Sequence, residues 1–431
     1  SIVGRQSFAD SKSRTGDREI PRYCQEAVKD SQQACAPYSR MMRNVKLYSV
    51  NVRVHDSIDA IPASDWNRLA GSNPFLRHEF LAALEHSGCV GMQTGWQPRH
   101  LSYTDETGRL IGALPLYLKF HSYGEYVFDW AWAEAWQRAG LAYYPKLVAA
   151  VPFSPVSGPR LLLAPSAKQG NIAAALISKT RELAVTHTAS SVHCLFPYTD
   201  EIQYWESQKY MLRKDCQFHW HNRDYRGFDD YLAALSAENR KKVKRERRRV
   251  AEAGITHRIY SGDQLDDRLL DVLYRFYSAT YAKRARPAYL NRGFFAEIAA
   301  GMPDALRVIF AFLDAEPVAC AICFRDAESL YGRHWGCERE FHSLHFETCY
   351  YQGIEYCIRE GLKHFNPGVQ GEHKLARGFE PSVTHSLHWI AEPTFRKAIG
   401  DFLQQESRMV DAYVREAAQH LPYRSANRAR D

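Results

Sequence analysis

Residues 306–337 read LRVIFAFLDAEPVACAICFRDAESLYGRHWGC. Two apolar runs, 306–313 and 318–324, flank a DAEP turn, which is the pattern of a β-hairpin. The SLYGRHWGCE run that follows is a strand interrupted by Gly332 and Gly336. Residues 346–361 then place apolar and aromatic side chains three and four apart, which predicts a helix. LKHFNPG closes the block as a short strand. The block is a mixed α/β unit.

The same order occurs once before. Residues 100–103, a TDETGR turn and residues 110–118 form a hairpin, SYGEYVFDWAW carries another Tyr-Gly break, residues 170–187 read as a helix and residues 191–196 as a strand. The hairpins lie about 207 residues apart and the two Tyr-Gly pairs about 208. The match is one of pattern, and it predicts a duplicated α/β unit. Short helices are expected at 65–69 and 73–84, the second starting on Asn73-Pro74. The expected division is an extension at 1–44, a first unit at 45–222, a basic helical linker at 223–260, a second unit at 261–423 and a tail at 424–431.

Composition narrows the function classes. The chain has 431 residues, 45% apolar and 13% aromatic, too much core material for disorder. No run approaches the ~18 apolar residues of a spanning helix, so a cytoplasmic protein with at most peripheral membrane contact is expected. Ten cysteines lack framework spacing and read as reduced thiols. Residues 1–40 contain both arginines and acids, a weak pattern for organelle targeting. The formal charge of +7 is carried entirely by RKKVKRERRR, from Arg240 to Arg249. That segment reads as a solvated bridging helix, as a cationic wall for the phosphates of a CoA or a tRNA, or as a membrane-facing surface.

The densest polar cluster is VQGEHKLARGFEPSVTHSLHW, residues 369–389, read as a loop beyond a strand end, where open α/β sheets hold ligands. Glu372, His373, Lys374 and Arg377 bring a carboxylate, an imidazole and two cations together. Acyl transfer to an amine needs that set: a base for the amine proton and a cation for the oxyanion. In the second cluster, Arg333 and Trp335 should share a strand face opposite His334, with His345 and Glu347 opening the next helix. Glu347 also suits the helix dipole. Glu125 and Asp129 lie among aromatic residues, either as ion-paired core groups or as acids of raised pKa. Tyr123, Tyr126, Phe128, Trp130, Trp132, Tyr143 and Tyr144 line a wide apolar pocket or are only core. No metal site is expected, since Cys320-x-x-Cys323 alternates across a strand and no histidine has ligand spacing. GxSxG, P-loop and Rossmann motifs are absent.

From about Asn73 to Tyr423 the chain resembles the FemAB-like N-acyltransferases, a branch of the GNAT (acyl-CoA N-acyltransferase) superfamily. The blocks NPFLRHEFLAALE, TGWQPRHL, PLYLKFHSYGEYVFDWAW, YYPKLVAAVPFSPVSGPRLL, CQFHWHNR, LYGRHWGC, LHFETCYYQGIEY and QGEHKLARGF carry the resemblance. It implies a mixed α/β fold of two tandem GNAT-like domains. In the related Fem peptidyltransferases, an aminoacyl group passes from tRNA to an amine of a peptidoglycan precursor. A basic loop with Gly-Phe forms part of that site, and the similar stretch here is Lys374, Arg377, Gly378 and Phe379. The basic helix resembles the arginine-rich segment that opens the second Fem domain. Two departures stand out: the long helical hairpin of many Fem ligases is missing, and so is the [QR]xxGx[GA] diphosphate signature of acetyl-CoA enzymes.

Three readings follow. The first is an N-acyltransferase moving an acyl group from a thioester, with acyl-CoA as co-substrate and no tightly bound cofactor, to a primary amine on a small molecule, lipid or cell-envelope precursor. Glu372, His373 and Lys374 would do the chemistry, and Arg377, Gly378, Phe379, Arg333, Trp335, His345, Glu347, Tyr123, Glu125 and Asp129 would bind substrate or donor. The second replaces the donor with aminoacyl-tRNA held by Arg240 to Arg249. The third is a non-catalytic binding protein on a degenerate GNAT fold.

Overall fold

The computed structural model describes residues 51–166, 168–369 and 371–424. The extension expected at 1–44 lies outside the described residues, as do Cys24, Cys35 and nearly all of the expected tail. In chain order the first half contributes β1 (Val52–His55), β2 (Trp96–Pro98), β3 (His100–Thr104), β4 (Leu110–Leu114), β5 (Leu116–Lys119), β6 (Lys146–Ala149), β7 (Leu162–Leu163), β8 (Ser191–Leu195) and β9 (Met211–His221). The second contributes β10 (Ile255–Ser261), β11 (Leu306–Leu313), β12 (Glu316–Arg325), β13 (Ser329–Cys337), β14 (His364–Asn366) and β15 (Glu380–Ile390).

Each half holds one parallel pair within an otherwise antiparallel sheet: β6 beside β8, and β13 beside β14. Between the members of each pair lies a helix, Gln169–Thr186 in the first half and the continuous Leu344–Phe346, Glu347–Tyr351 and Gln352–Glu360 in the second, whose middle stretch is a π turn. This is the duplicated mixed α/β unit that the sequence predicts, with both hairpins and both helices where the sequence places them. Pro115, which has no N–H to give a ladder, divides the residue 110–118 strand. β4 pairs with β3 in a small four-stranded sheet, and β5 joins the main one.

The main sheet runs β10-β11-β12-β13-β14-β9-β15-β8-β6-β5-β2. Its centre exchanges strands between halves. β15, from the end of the second half, lies between β8 and β9 of the first, and β9 reaches across to β14. Residues 369–389 are therefore not one loop, as the sequence suggests. Residues 380–390 form an 11-residue strand, buried on both faces over its second half. Its Ser, Thr and His side chains hid the strand from hydropathy, yet they bond internally: Ser386 to His388 at 2.8 Å, and His388 to His193 at 2.7 Å.

The halves also share a core. Phe75 lies 5.2 Å from Phe324 and 5.3 Å from Tyr331, and Phe80 lies 5.5 Å from Phe294. Such pairs add about 0.5–1.5 kcal/mol each beyond area burial. The helix expected to start at Asn73 begins instead at His78. Asn73 uses its side-chain oxygen to accept from Phe75 N–H (3.0 Å) in a turn that delivers Phe75 to this core.

Candidate active site

β13 and β14 pair only from Ser329 opposite His364 to Tyr331 opposite Asn366. β13 then runs on to Cys337, while the other chain turns off through Pro367 and Gly368 into a 3-10 turn, Glu372–Arg377. Two parallel strands that separate in mid-sheet leave a gap whose lining must come from side chains. On one side of it lies the helix bearing the π turn.

Lys374 lies in the 3-10 turn on the β14 side of this separation. It is 1% exposed, donates to the Gly368 carbonyl, and has no carboxylate partner among the described residues. Burial pushes its pKa down from 10.5 to about 7, with the nearby Cys349 thiol opposing and Arg333 assisting. An ammonium so placed holds N–H donors free for an anion.

The turn is held rigidly by its neighbour. Arg377, 1% exposed, makes a two-nitrogen clasp: Nη2 donates to both oxygens of Glu246 (2.8 Å each), and Nε donates to the Tyr351 hydroxyl (2.8 Å). Its Nη1 takes the His373 carbonyl, and its plane covers Phe346 at 3.7 Å. With its nitrogens so engaged, Arg377 anchors the turn to the basic helix. Gly378 ends the turn at φ +78°, where a Cβ would meet the Tyr423 hydroxyl at 2.7 Å. Phe379 is fully buried against Phe365 and Tyr350. These three residues fix the position of Lys374.

The flanking groups face outward. Glu372 is exposed and accepts from the Tyr413 hydroxyl at 3.0 Å. His373 stands at the rim, its Nε2 sharing a 2.9 Å hydrogen bond with the Tyr350 hydroxyl. Desolvation, then the Lys374 and Arg377 cations, push its pKa down to about 4, which keeps the ring neutral at pH 7. Trp335, His345, Tyr350 and Phe346 continue from it as one aromatic wall, with Trp335 and His345 rings 5.3 Å apart. Glu347 is buried deeper, accepting from Arg247 (3.2 Å) and Gln352 (2.8 Å). Arg333 occupies the opposite side of the gap.

The first-half candidates lie apart from these. Glu125 and Asp129 are both buried and ion-paired, and Glu125 is at the same time an acid of raised pKa, so the two alternatives open for them coexist. Both accept from Lys146, Glu125 at 2.8 Å. Burial pushes Glu125 up to about 7, while Lys146 and His193 hold Asp129 down. Lys119 completes the cluster, 3.8 Å from Glu125 and 3.6 Å above the Trp96 ring. Neither lysine was singled out in the sequence. The available signal was one charge inside YYPKLVAA, an otherwise apolar run. Of the aromatic residues, Trp132 and Tyr143 are core, whereas Tyr123 is exposed beside Trp130 (5.1 Å).

The corresponding gap between β6 and β8 is closed by the chain itself. Gly158 bridges Pro197, and the buried Arg160 spends Nε on Leu195 O (2.8 Å), Nη2 on Val156 O (2.8 Å) and Nη1 on Gly158 O (3.1 Å). A recess of about 370 Å³ elsewhere in the first half is lined by Asp56, Glu85, His86 and Arg99. Its charges already pair, Arg99 with Asp56 and Glu85 with His100. Among the described residues no helix is long and apolar enough to cross a membrane.

A family model described as peptidoglycan biosynthesis/recognition, FemAB-like, matches residues 57–425. No curated protein sequence matches the chain. Among solved structures, FemX shares 12% identity over 79% of this chain and 98% of its own, with a TM-score of 0.49. The C-terminal domain of a putative lysylphosphatidylglycerol synthetase from Agrobacterium fabrum shares 9% over 80% and 94%, TM-score 0.48. A tandem GNAT protein from the clavulanic acid biosynthesis pathway shares 13% over 79% and 98%, TM-score 0.43. Matched by its model over most of its length, the chain belongs to the FemAB-like family.

Proposed function

We propose that the protein is an N-acyltransferase that passes an activated acyl group to a primary amine of a cell-envelope precursor, without a covalent enzyme intermediate. The observation that carries this reading is Lys374, a buried ammonium with no carboxylate partner among the described residues, where two parallel strands separate. In the reaction the amine nitrogen bonds to the acyl carbon and the carbonyl electron pair moves onto oxygen. The oxyanion then collapses, expelling the donor's sulfur or oxygen, while the nitrogen gives up a proton. Lys374 donates to the oxyanion, and neutral His373, oriented by Tyr350, accepts the proton. Glu372, tied to Tyr413, orders the rim.

The donor in this reading is an acyl thioester such as acyl-CoA. Two observations favour aminoacyl-tRNA as a second reading. The turn from β13 into the following helix lacks the [QR]xxGx[GA] diphosphate signature, and its Glu338 and Glu340 pair with Arg275 and Lys283. On the basic helix, Lys241, Lys244 and Arg245 are exposed without carboxylate partners among the described residues, while Arg247 pairs with Glu347 and Glu355. Lys242 on that helix lies within electrostatic reach of His373. The test supplies acyl-CoA or aminoacyl-tRNA with a peptidoglycan precursor amine and follows amide formation by mass spectrometry. Transfer that survives Lys374→Met at the wild-type rate removes the proposal. Ribonuclease sensitivity with a steep salt dependence selects the tRNA donor.

A further inference from the structure

Arg333 is the second cation of the gap, half-buried as a residue, and the reaction above makes no use of it. It is the residue left over where β12 and β13 slip register, between Ile322 opposite His334 and Cys323 opposite Gly332. A bulge re-aims a side chain, here toward the first half. Nη2 donates to the Phe153 carbonyl at 3.1 Å. Nε is buried with no partner, and among the described residues no carboxylate pairs with the group.

Aromatic hydroxyls surround it. Tyr126, Tyr277 and Tyr281 lie within its electrostatic reach, and the Tyr277 and Tyr281 rings are 5.1 Å apart. Tyr126 belongs to the first half and Tyr281 to the helix Asp267–Ala282 of the second. Phe153, stacked on Tyr289 at 5.0 Å, completes the wall. Arg333 therefore bridges the seam between the halves.

Three other buried cations have carboxylates or carbonyls matched to them. Lys146 has Glu125 and Asp129, Arg377 has Glu246, and Arg160 has four backbone carbonyls. Arg333 and Lys374 have no carboxylate among the described residues, and they share one electrostatic field. Two desolvated like charges without an acid are costly to hold, and a bound oxyanion relieves both.

We propose that the seam between the halves binds an anionic group of the acceptor, a carboxylate or a phosphate, through Arg333 and the tyrosine hydroxyls, so that its amine is presented toward Lys374. The acceptor class is thus an amine that also carries an oxyanion. This rests on the reading that the gap between β13 and β14 is the reaction site.

The experiment measures thermal unfolding with about 20 mM sodium phosphate or sodium acetate against sodium chloride of equal ionic strength. One or both anions should raise the wild-type midpoint by roughly 2–3 °C over chloride. Arg333→Gln should abolish the rise, Arg333→Lys should restore part of it, and Lys397→Gln, exposed on the helix Pro393–Gln419, should leave it whole. A response to phosphate alone assigns a phosphate-bearing acceptor, a response to acetate alone a carboxylate, and equal responses an unselective oxyanion site. No anion effect in wild type, or an undiminished one in Arg333→Gln, overturns the proposal. If transfer survives Lys374→Met while Arg333→Gln still loses the anion response, the reaction reading fails and the anion site stands.

Discussion

Lys374 ties stability to pH in a definite direction. An unfolded lysine keeps its proton up to about 10.5, whereas the folded one loses it near 7. Across that window the unfolded chain binds more protons, so stability rises with pH, by up to about 1.4 kcal/mol per unit. Lys119, lowered by burial to about 6, adds to the same trend. Urea denaturation should find Lys374→Met more stable than wild type at pH 7, with the gap narrowing toward pH 10. A gap that stays constant contradicts the assigned burial cost. The same variant should lose about 100- to 1,000-fold in turnover, the loss typical of a missing oxyanion donor. At Lys146 the sign is opposite, because its charge is matched. Asp129→Ala leaves buried cationic charge uncompensated and should cost about 3–5 kcal/mol, read by the same denaturation. Glu125 and Asp129 stood out in the sequence because acids among aromatic residues are conspicuous. Their partners did not, since a lysine in an apolar run looks like any strand end until its neighbours are known.

The basic helix, Ala237–Glu252, has an inner and an outer side. Val243, Glu246 and Val250 face inward, at spacings of three and four, and the helix is fixed mainly by the Glu246–Arg377–Tyr351 contact. Glu246→Ala should therefore cost about 3–5 kcal/mol and lower turnover as well, because the turn bearing Lys374 loses its anchor. Glu246→Leu with Arg377→Met should recover most of the stability. Changing Lys241, Lys244 and Arg245 together to Gln should shift stability by little. If the donor is polyanionic, the same change should flatten the salt dependence of its binding, in a filter-binding or fluorescence titration. Elements of clear period were legible in the sequence. Residues 306–313 form a strand with those same bounds, and the helix between β13 and β14 lies within two residues of its expected start and one of its end. β15 was not legible, because a central strand rich in Ser, Thr and His lacks the apolar signature on which strand reading depends. The gap itself is a relation between strands distant in sequence, and no local pattern encodes how far two of them stay paired.

The molecule has two pseudo-equivalent halves but does not come apart into them. Each completes its sheet with a strand from the other, and the Phe75 and Phe80 contacts bury aromatic surface across the boundary. Intact protein should therefore unfold in one transition by calorimetry, and a fragment ending at residue 222 should be insoluble or fold only when co-expressed with the remainder. Two independent transitions, or a monomeric folded fragment, would contradict this. Arg160 closes the separation between β6 and β8 with backbone hydrogen bonds, so the proposed reaction has one site per chain, at β13 and β14. The strand exchange has a further cost, paid during translation. β8 leaves the ribosome roughly 185 residues before its neighbour β15, which at about 5–20 residues per second means some 10–40 s with an apolar edge uncovered. Such an edge is open to pairing with another nascent chain, so the yield of this protein in the cell depends on synthesis speed and on holdase chaperones more than its final stability suggests.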